Sequence, residues 1–335
     1  MSRQLLIFLL ITIIPFSAIA NNPAQYYLDS GNQFYEQGDY EKAIEAFTEA
    51  IRLDANSLEA YYNRADSILL SVRGSPSGVV NIDIFEITDE QKKLLDIAIA
   101  DFTHSLTLVP DDVASLVNRG TVYSYKNENE LAIADLSRAA QIDPDNFIIH
   151  YNRGDLYFSL GEYELAIADF RRAIQITPNH AWTYLLLGAV YMEMENYYQA
   201  IIEFNQAIHF GMNEHYVYDE RGLAYALIKE FDKAVADFYQ AIELNPDYVG
   251  TYINLGITYF DLNNFTEAIE IFNQAIELNP NIALAYFNRG IAYDKMGDLA
   301  QGIADLTKAL ELDPSYWLAR EYLEDMLLEH QANLD

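Results

Sequence analysis

Tyr252-Ile253-Asn254-Leu255-Gly256-Ile257-Thr258-Tyr259, followed by Ala268, Phe272, Ala275 and Pro280, is one copy of a pattern that recurs along a 335-residue chain. Glycines stand in the same local context at Gly31, Gly120, Gly154, Gly188, Gly222, Gly256 and Gly290, and from Gly120 onward the numbering advances by a constant 34. Ala65 lies one such period after Gly31 and takes the glycine's place in the second copy; the longer step from Ala65 to Gly120 is one period plus an insertion of 21. A fixed period of this size marks a stacked-repeat architecture. It divides the chain into eight units that begin near Ala24, Leu58, Val113, Phe147, Ala181, His215, Val249 and Ala283.

Each unit carries its own punctuation. Pro110, Pro144, Pro178, Pro246, Pro280 and Pro314 close six of them, because proline cannot continue a helix and pushes the preceding residue out of helical geometry. A second break falls in mid-unit at Gly38-Asp39, Gly161-Glu162 and Gly297-Asp298, where glycine allows a left-handed cap between two helices. Between the breaks, apolar or small residues recur every three to four positions: Tyr151, Gly154 and Tyr157 on one helix of the fourth unit, Ala166, Phe170 and Ala173 on the other. Two antiparallel helices cannot bury such faces alone, whereas stacked neighbours can.

This pattern resembles the tetratricopeptide repeat (TPR), and the resemblance runs over residues 24–314. It implies an all-α fold: a right-handed superhelical solenoid of eight TPR helical hairpins whose first helices line a concave groove that binds peptides or proteins. Residues 315–330, with Trp317 and Tyr322, then read as the terminal capping helix. Two departures stand out. The fifth unit ends in Gly211-Met212 where a proline is expected, which predicts a looser or differently angled junction. The second unit carries the insertion, around residues 73–91. There Arg73-Gly74-Ser75-Pro76-Ser77-Gly78 signals a loop, the alternation from Val79 to Ile87 suits a short extended segment, and Thr88 with Gln91 forms a capping-box signature for the resumed helix. The apolar loop either docks on its own groove or offers an edge to a partner.

Residues 1–20 have the make-up of a secretory signal peptide: Arg3 in the n-region, an apolar core from Leu5 to Ile14, and the small-x-small site Ala18-Ile19-Ala20. The apolar run is shorter than the roughly 20 residues a spanning helix needs, and Pro15 interrupts it. The expected location is extracytoplasmic, periplasmic or secreted; the alternative is a membrane anchor formed by an uncleaved N-terminal segment. The chain has no cysteine, which excludes disulfides, zinc-thiolate sites and thiol nucleophiles. Its 51 acidic residues against 20 basic ones give a net charge of −31, a field that repels nucleic acid and favours a neutral or basic protein or peptide partner. No nucleic-acid binding and no stable membrane insertion after cleavage are expected.

Comparing the units with one another reveals a covariation. Five units place arginine just before the glycine or its substitute, at Arg64, Arg119, Arg153, Arg221 and Arg289; the same five carry Asp101, Asp135, Asp169, Asp237 and Asp305 before the large apolar residue of the second helix. The other three have Ser30, Leu187 and Leu255 with Ala46, Glu203 and Ile271. Pairing within a unit accounts for all five, so five structural intra-hairpin bridges are predicted, with geometry suited to bidentate contact. Common ancestry of those units would leave the same pattern without contact.

Five units have asparagine two places before the glycine: Asn63, Asn118, Asn152, Asn254 and Asn288. In the resembled family this position belongs to the groove, and a row of amides there matches the donors and acceptors of a peptide backbone. The same residue type also contacts the neighbouring repeat in that family, so both readings stand. Tyr62, Tyr151, Phe158, Trp182, Tyr216, Phe260 and Phe287 fall at first-helix positions expected to face the groove or its edge, where aromatic side chains offer broad contact area. A carboxylate clamp is not expected, since Leu28, Asn32, Asn63, Ala114 and Asn118 occupy the equivalent places without a lysine.

Catalytic signatures are absent: there is no phosphate-binding glycine loop, no Gly-x-Ser-x-Gly elbow and no His-Glu-x-x-His, and the six histidines form no metal-ligand pattern. The chain is therefore expected to be a non-catalytic protein–protein interaction scaffold without cofactor or metal. The alternative is a regulatory or targeting subunit of a separate enzyme complex, or a glycan-recognition module.

Overall fold

A computed structural model describes residues 22–73 and 87–332; residues 1–20, read above as a signal peptide, and most of the insertion, residues 74–86, lie outside the described residues, as do residues 21 and 333–335. Every described element is a helix or a turn between helices. The chain divides into two compact units, Met1–Leu160 and Gly161–Asp335.

Unit 1 contains α1 (Pro23–Glu36), α2 (Tyr40–Leu53), α3 (Leu58–Arg73), α4 (Asp89–Leu108), α5 (Val113–Tyr125), α6 (Asn129–Ile142) and α7 (Phe147–Ser159). Unit 2 contains α8 (Tyr163–Ile176), α9 (Ala181–Glu193), α10 (Tyr197–His209), α11 (His215–Leu227), α12 (Phe231–Leu244), α13 (Val249–Asp261), α14 (Phe265–Leu278), α15 (Ala283–Lys295), α16 (Leu299–Leu312) and α17 (Trp317–Ala332). Odd-numbered helices up to α15 are first helices of hairpins and even-numbered ones are second helices.

The mid-hairpin turn needs one left-handed residue. Gly38, Gly161 and Gly297 supply it at φ of 74°, 74° and 82°, and Asn127, Glu195, Lys229 and Asn263 hold the equivalent place at 56–64°. Three inter-hairpin turns are tied by a side chain four places before the glycine: His150 Nε2 to the Pro144 carbonyl at 3.0 Å, and the Tyr184 and Tyr252 hydroxyls donating to Pro178 and Pro246 carbonyls at 2.9 and 3.0 Å. Arg320 makes the same tie to the Pro314 carbonyl at 2.7 Å.

Within the hairpins that lie inside one unit, a bulky second-helix residue sits under the glycine of the first helix, or under Ala65 in the second hairpin. Phe47, Phe102, Leu136, Phe204, Phe238, Phe272 and Leu306 are all buried at this place. The glycine is required by close approach: a Cβ on Gly256 would stand 2.4 Å from Phe272 Cε1. Consecutive first helices also approach one another directly within each unit, while second helices do not approach one another to that extent among the described residues. The first helices thus form the inner face of each unit.

Two sequence departures resolve locally. After α10, Gly211 adopts φ 97°, and the Met212 N–H bonds the Ala207 carbonyl at 3.0 Å. Met212 itself is buried, so a packed methionine closes the junction predicted to be looser. At the insertion, Thr88 caps α4 through a full capping box with Gln91, and Ile87 packs against the core of Ala65, Ile68, Leu95 and Phe102.

Candidate functional site

On the inner face of unit 1, polar side chains lock consecutive first helices together. The Tyr35 hydroxyl on α1 donates to Asp66 Oδ2 on α3 at 2.5 Å, and Asn118 Nδ2 on α5 donates to Asp66 Oδ1 at 3.0 Å and to the Tyr62 hydroxyl at 3.2 Å. Asn63 donates to Asn32 Oδ1 at 2.8 Å, Asn32 to Glu59 at 3.1 Å, and Asn152 to Thr121 Oγ1 at 3.3 Å. Burial pushes the Asp66 carboxyl up, although the bonds from Tyr35 and Asn118 oppose this, and burial together with the Asp66 charge raises Tyr62 to about 12.

The asparagine row is therefore not a set of uncommitted amides. Asn63, Asn118 and Asn152 each donate backward to the residue one place after the glycine, or its Ala65 substitute, in the preceding repeat. That leaves each amide oxygen and at most one N–H for a ligand. In unit 2, Asn254 instead reaches Asp219 Oδ1 and Oδ2 at 3.4 and 3.2 Å, and Asn288 bonds the Leu284 carbonyl of its own helix at 3.0 Å.

The inner face of unit 2 has a different character around α9 and α11. Trp182 and Tyr216 are half-buried with ring centroids 5.6 Å apart, and Leu186 lies one helical turn beyond Trp182 on α9. Glu220, one helical turn beyond Tyr216, has no hydrogen-bond donor and no cationic side chain at ion-pair distance among the described residues. Burial raises its carboxyl to about 7, with Asp219 and Glu193 adding to the effect. Asp219 occupies a place that in the other hairpins holds Leu28, Tyr62, Val117, Tyr151, Leu185, Ile253 or Phe287; it is 8% exposed and burial raises its carboxyl too.

The Glu220 shift has a stability consequence with a defined sign. Its folded value lies above its ordinary one, so between about pH 4.5 and 7 the native state holds more proton than the unfolded chain, and the glutamate's contribution to stability falls as pH rises through that window. Glu220→Gln should melt above the wild type at about pH 8 and close to it at about pH 5. An equal offset at both values would show that the side chain is not strained by ionisation.

Arginine and aspartate meet in four hairpins. Arg64 Nε and Nη2 lie 2.7 and 2.8 Å from Asp101 Oδ2 and Oδ1. Arg119 meets Asp135 at 2.7 and 2.8 Å, Arg221 meets Asp237 at 2.7 and 2.6 Å, and Arg289 meets Asp305 at 2.7 Å twice. Arg153 and Asp169 fall on different units, and their pairing remains an expectation. Each of the five arginines has a further partner that the covariation did not reveal. Nη1 reaches the second helix of the preceding hairpin at Thr48, Thr103, Ser137, Asn205 and Asn273, always 16 places back and 2.6–3.1 Å away. That signal was available in the sequence, because all five are small polar residues at a constant offset.

Phe287 requires a correction. Its first-helix position suggested the groove, yet it is buried against Tyr316, Tyr322, Leu306 and Met326, because this register faces the next helix, α17. Of the other aromatics, Tyr62 packs on Phe102 with centroids 5.7 Å apart and Tyr151 on Phe147 at 5.5 Å, both half-buried; Phe158 and Phe260 are also half-buried. Among the described residues, no group of three or more histidine or acidic side chains is arranged to hold a metal ion.

The TPR repeat family matches residues 31–69, 120–161, 154–195 and 258–297, and further tetratricopeptide repeat matches cover 183–208, 220–248 and 283–316. Together they span more than half of the sequence. The chain belongs to the tetratricopeptide repeat family. Such proteins typically serve as interaction scaffolds. Among solved structures, the APC/C hetero-tetramer Cut9-Hcn1 is similar at TM-score 0.55 and 19% identity, covering 93% of this chain and 57% of that one. PilF of Pseudomonas aeruginosa is similar at TM-score 0.53 and 16% identity, covering 64% of this chain and 97% of that one. These likenesses concern the fold. YrrB, described as a TPR protein with an unusual peptide-binding site, aligns at TM-score 0.49 and 24% identity over 56% of this chain and 97% of its own. No curated protein matches the sequence.

Proposed function

We propose that this TPR protein is a non-catalytic scaffold that works outside the cytoplasm and takes a neutral or basic protein segment along the inner faces of its first helices. The carrying observation is Glu220: an inner-face carboxylate raised to about 7, with no partner among the described residues, one helical turn from the half-buried Tyr216 ring that packs on Trp182. A lysine or arginine from a bound segment would supply the missing counter-charge, and the rings would hold its aliphatic stem or planar head. The net charge of −31 favours such partners at long range. The extracytoplasmic part rests on the reading of residues 1–20; no helix among the described residues is long and apolar enough to cross a membrane.

Photo-crosslinkers placed at Trp182 and Asn254 on the inner face, and at the exposed Tyr198 on α10, test the reading in native extract. Protein adducts confined to the inner-face positions and weakened by Glu220→Gln would support it. Adducts mainly at Tyr198, or none at any position, would refute it.

A further inference from the structure

The arginine clasps are not distributed evenly over unit 2. Arg221 ties α11 to Asp237 on its own α12 and to Asn205 on the preceding α10, through three bonds of 2.6–2.7 Å. Arg289 ties α15 to Asp305 on α16 and to Asn273 on α14 in the same way, again at 2.6–2.7 Å. Between these two junctions lies a third, where α13–α14 stacks on α11–α12. There the same three places hold Tyr239, Leu255 and Ile271. Leu255 is 0% exposed and Ile271 6%, so the contact is apolar.

Apart from the Tyr252 hydroxyl on the Pro246 carbonyl at 3.0 Å, a turn tie that Tyr184 also makes to Pro178, the polar side-chain contacts at that junction are longer: the Tyr239 and Tyr259 hydroxyls at 3.2 Å, and Asn254 to Asp219 at 3.2 and 3.4 Å. The first helix beyond it also carries Gly250 as its second residue, where the equivalent places in α9, α11 and α15 carry Trp182, Tyr216 and Leu284, and glycine within a helix is less favourable than a residue with a side chain. A guanidinium with three charge-assisted bonds in a planar fork prescribes the relative placement of the helices it joins. Buried leucine and isoleucine hold by non-directional burial, which tolerates small sliding at little cost.

We propose that unit 2 behaves as two stiff blocks, α9–α12 and α13–α16, which shear against each other at the α12–α13 contact. The first block carries Trp182, Tyr216 and Glu220 as a preformed surface, and the moving junction is the one bridged by Asn254 and Asp219. The inference stands independently of what the inner face binds.

The absence of natural cysteine permits a direct test in the full chain. Ile202, Ala236, Glu270 and Ala304 are exposed, occupy the same place in four consecutive second helices and lie one repeat period apart. Spin labels on cysteines introduced pairwise there report distance distributions across each junction. The 236/270 pair should be broader than 202/236 and 270/304. Tyr239→Asn/Leu255→Arg/Ile271→Asp, which installs the clasp, should narrow 236/270 to the width of the others. If that variant fails to fold, the reverse change, Asn205→Tyr/Arg221→Leu/Asp237→Ile, should broaden 202/236. Three equal widths in the wild type would overturn the proposal, as would a 202/236 distribution unmoved by removing its clasp.

Discussion

Asp237→Ala should lower the stability of the folded array by roughly 3 kcal/mol, the low end of the range for removing one partner from a buried ion pair. The size follows from what is left behind. Arg221 sits at 17% side-chain exposure and makes two bonds to Asp237, so the variant strands a guanidinium with only Asn205 as a close acceptor. The pair itself contributes far less than its removal costs, because desolvating both charges offsets most of their attraction. The double change Arg221→Leu/Asp237→Ile should therefore recover to within about 1 kcal/mol of the wild type. The same chain already uses that combination at Leu255 and Ile271, both buried in the seventh repeat. Midpoints of urea-induced loss of helical signal would measure both; comparing midpoints is preferable to extrapolated free energies, since repeat arrays do not always unfold in one step. A single variant within about 0.5 kcal/mol of the wild type, or a double no better than the single, would contradict this account.

Gly256→Ala should cost about 2–3 kcal/mol through overpacking, although alanine is the better helix former. The added methyl would lie 2.4 Å from Phe272 Cε1 and 2.8 Å from two further ring carbons, so either the ring or the helix must move. Ala65 packs in one cluster with Phe102 in the second repeat, so such a displacement is possible and the cost stays finite. Phe272→Leu in the same chain should rescue much of the loss. Where leucine holds that place, at Leu136 and Leu306, a methyl on Gly120 or Gly290 would stand 3.1 or 3.3 Å from leucine Cγ. Thermal melts of the single and double variants decide it. A neutral Gly256→Ala, or a double variant worse than the single, would show that the close approach does not set the residue choice.

The residues that could be read from the sequence are those whose role repeats. The helix breaks at Gly161 and Pro178, the glycine–phenylalanine contact of Gly256 with Phe272, and the coupling of Arg221 with Asp237 all arise within one hairpin. Each was printed several times in the chain, so a constant offset exposed it. The small polar partner of each arginine, sixteen places before it, was equally periodic.

What the sequence could not decide depends on how one hairpin sits on the next. Asn118 reads either as a groove amide or as a contact to the neighbouring repeat until stacking brings Asp66 and the Tyr62 hydroxyl within 3.2 Å. Phe287 reads as groove-lining until α17 covers it, and Glu220 reads as one of 51 acidic residues until burial and the charges of Asp219 and Glu193 raise it. Period, composition and punctuation determined which helices form and which faces they bury, because those follow from local geometry and apolar spacing. The committed amides, the buried aspartate and the raised glutamate were decided by tertiary stacking alone. Hydrogen bonding and ionisation depend on distances of a few ångströms between side chains that are far apart in the chain, and on how much water the neighbours leave between them.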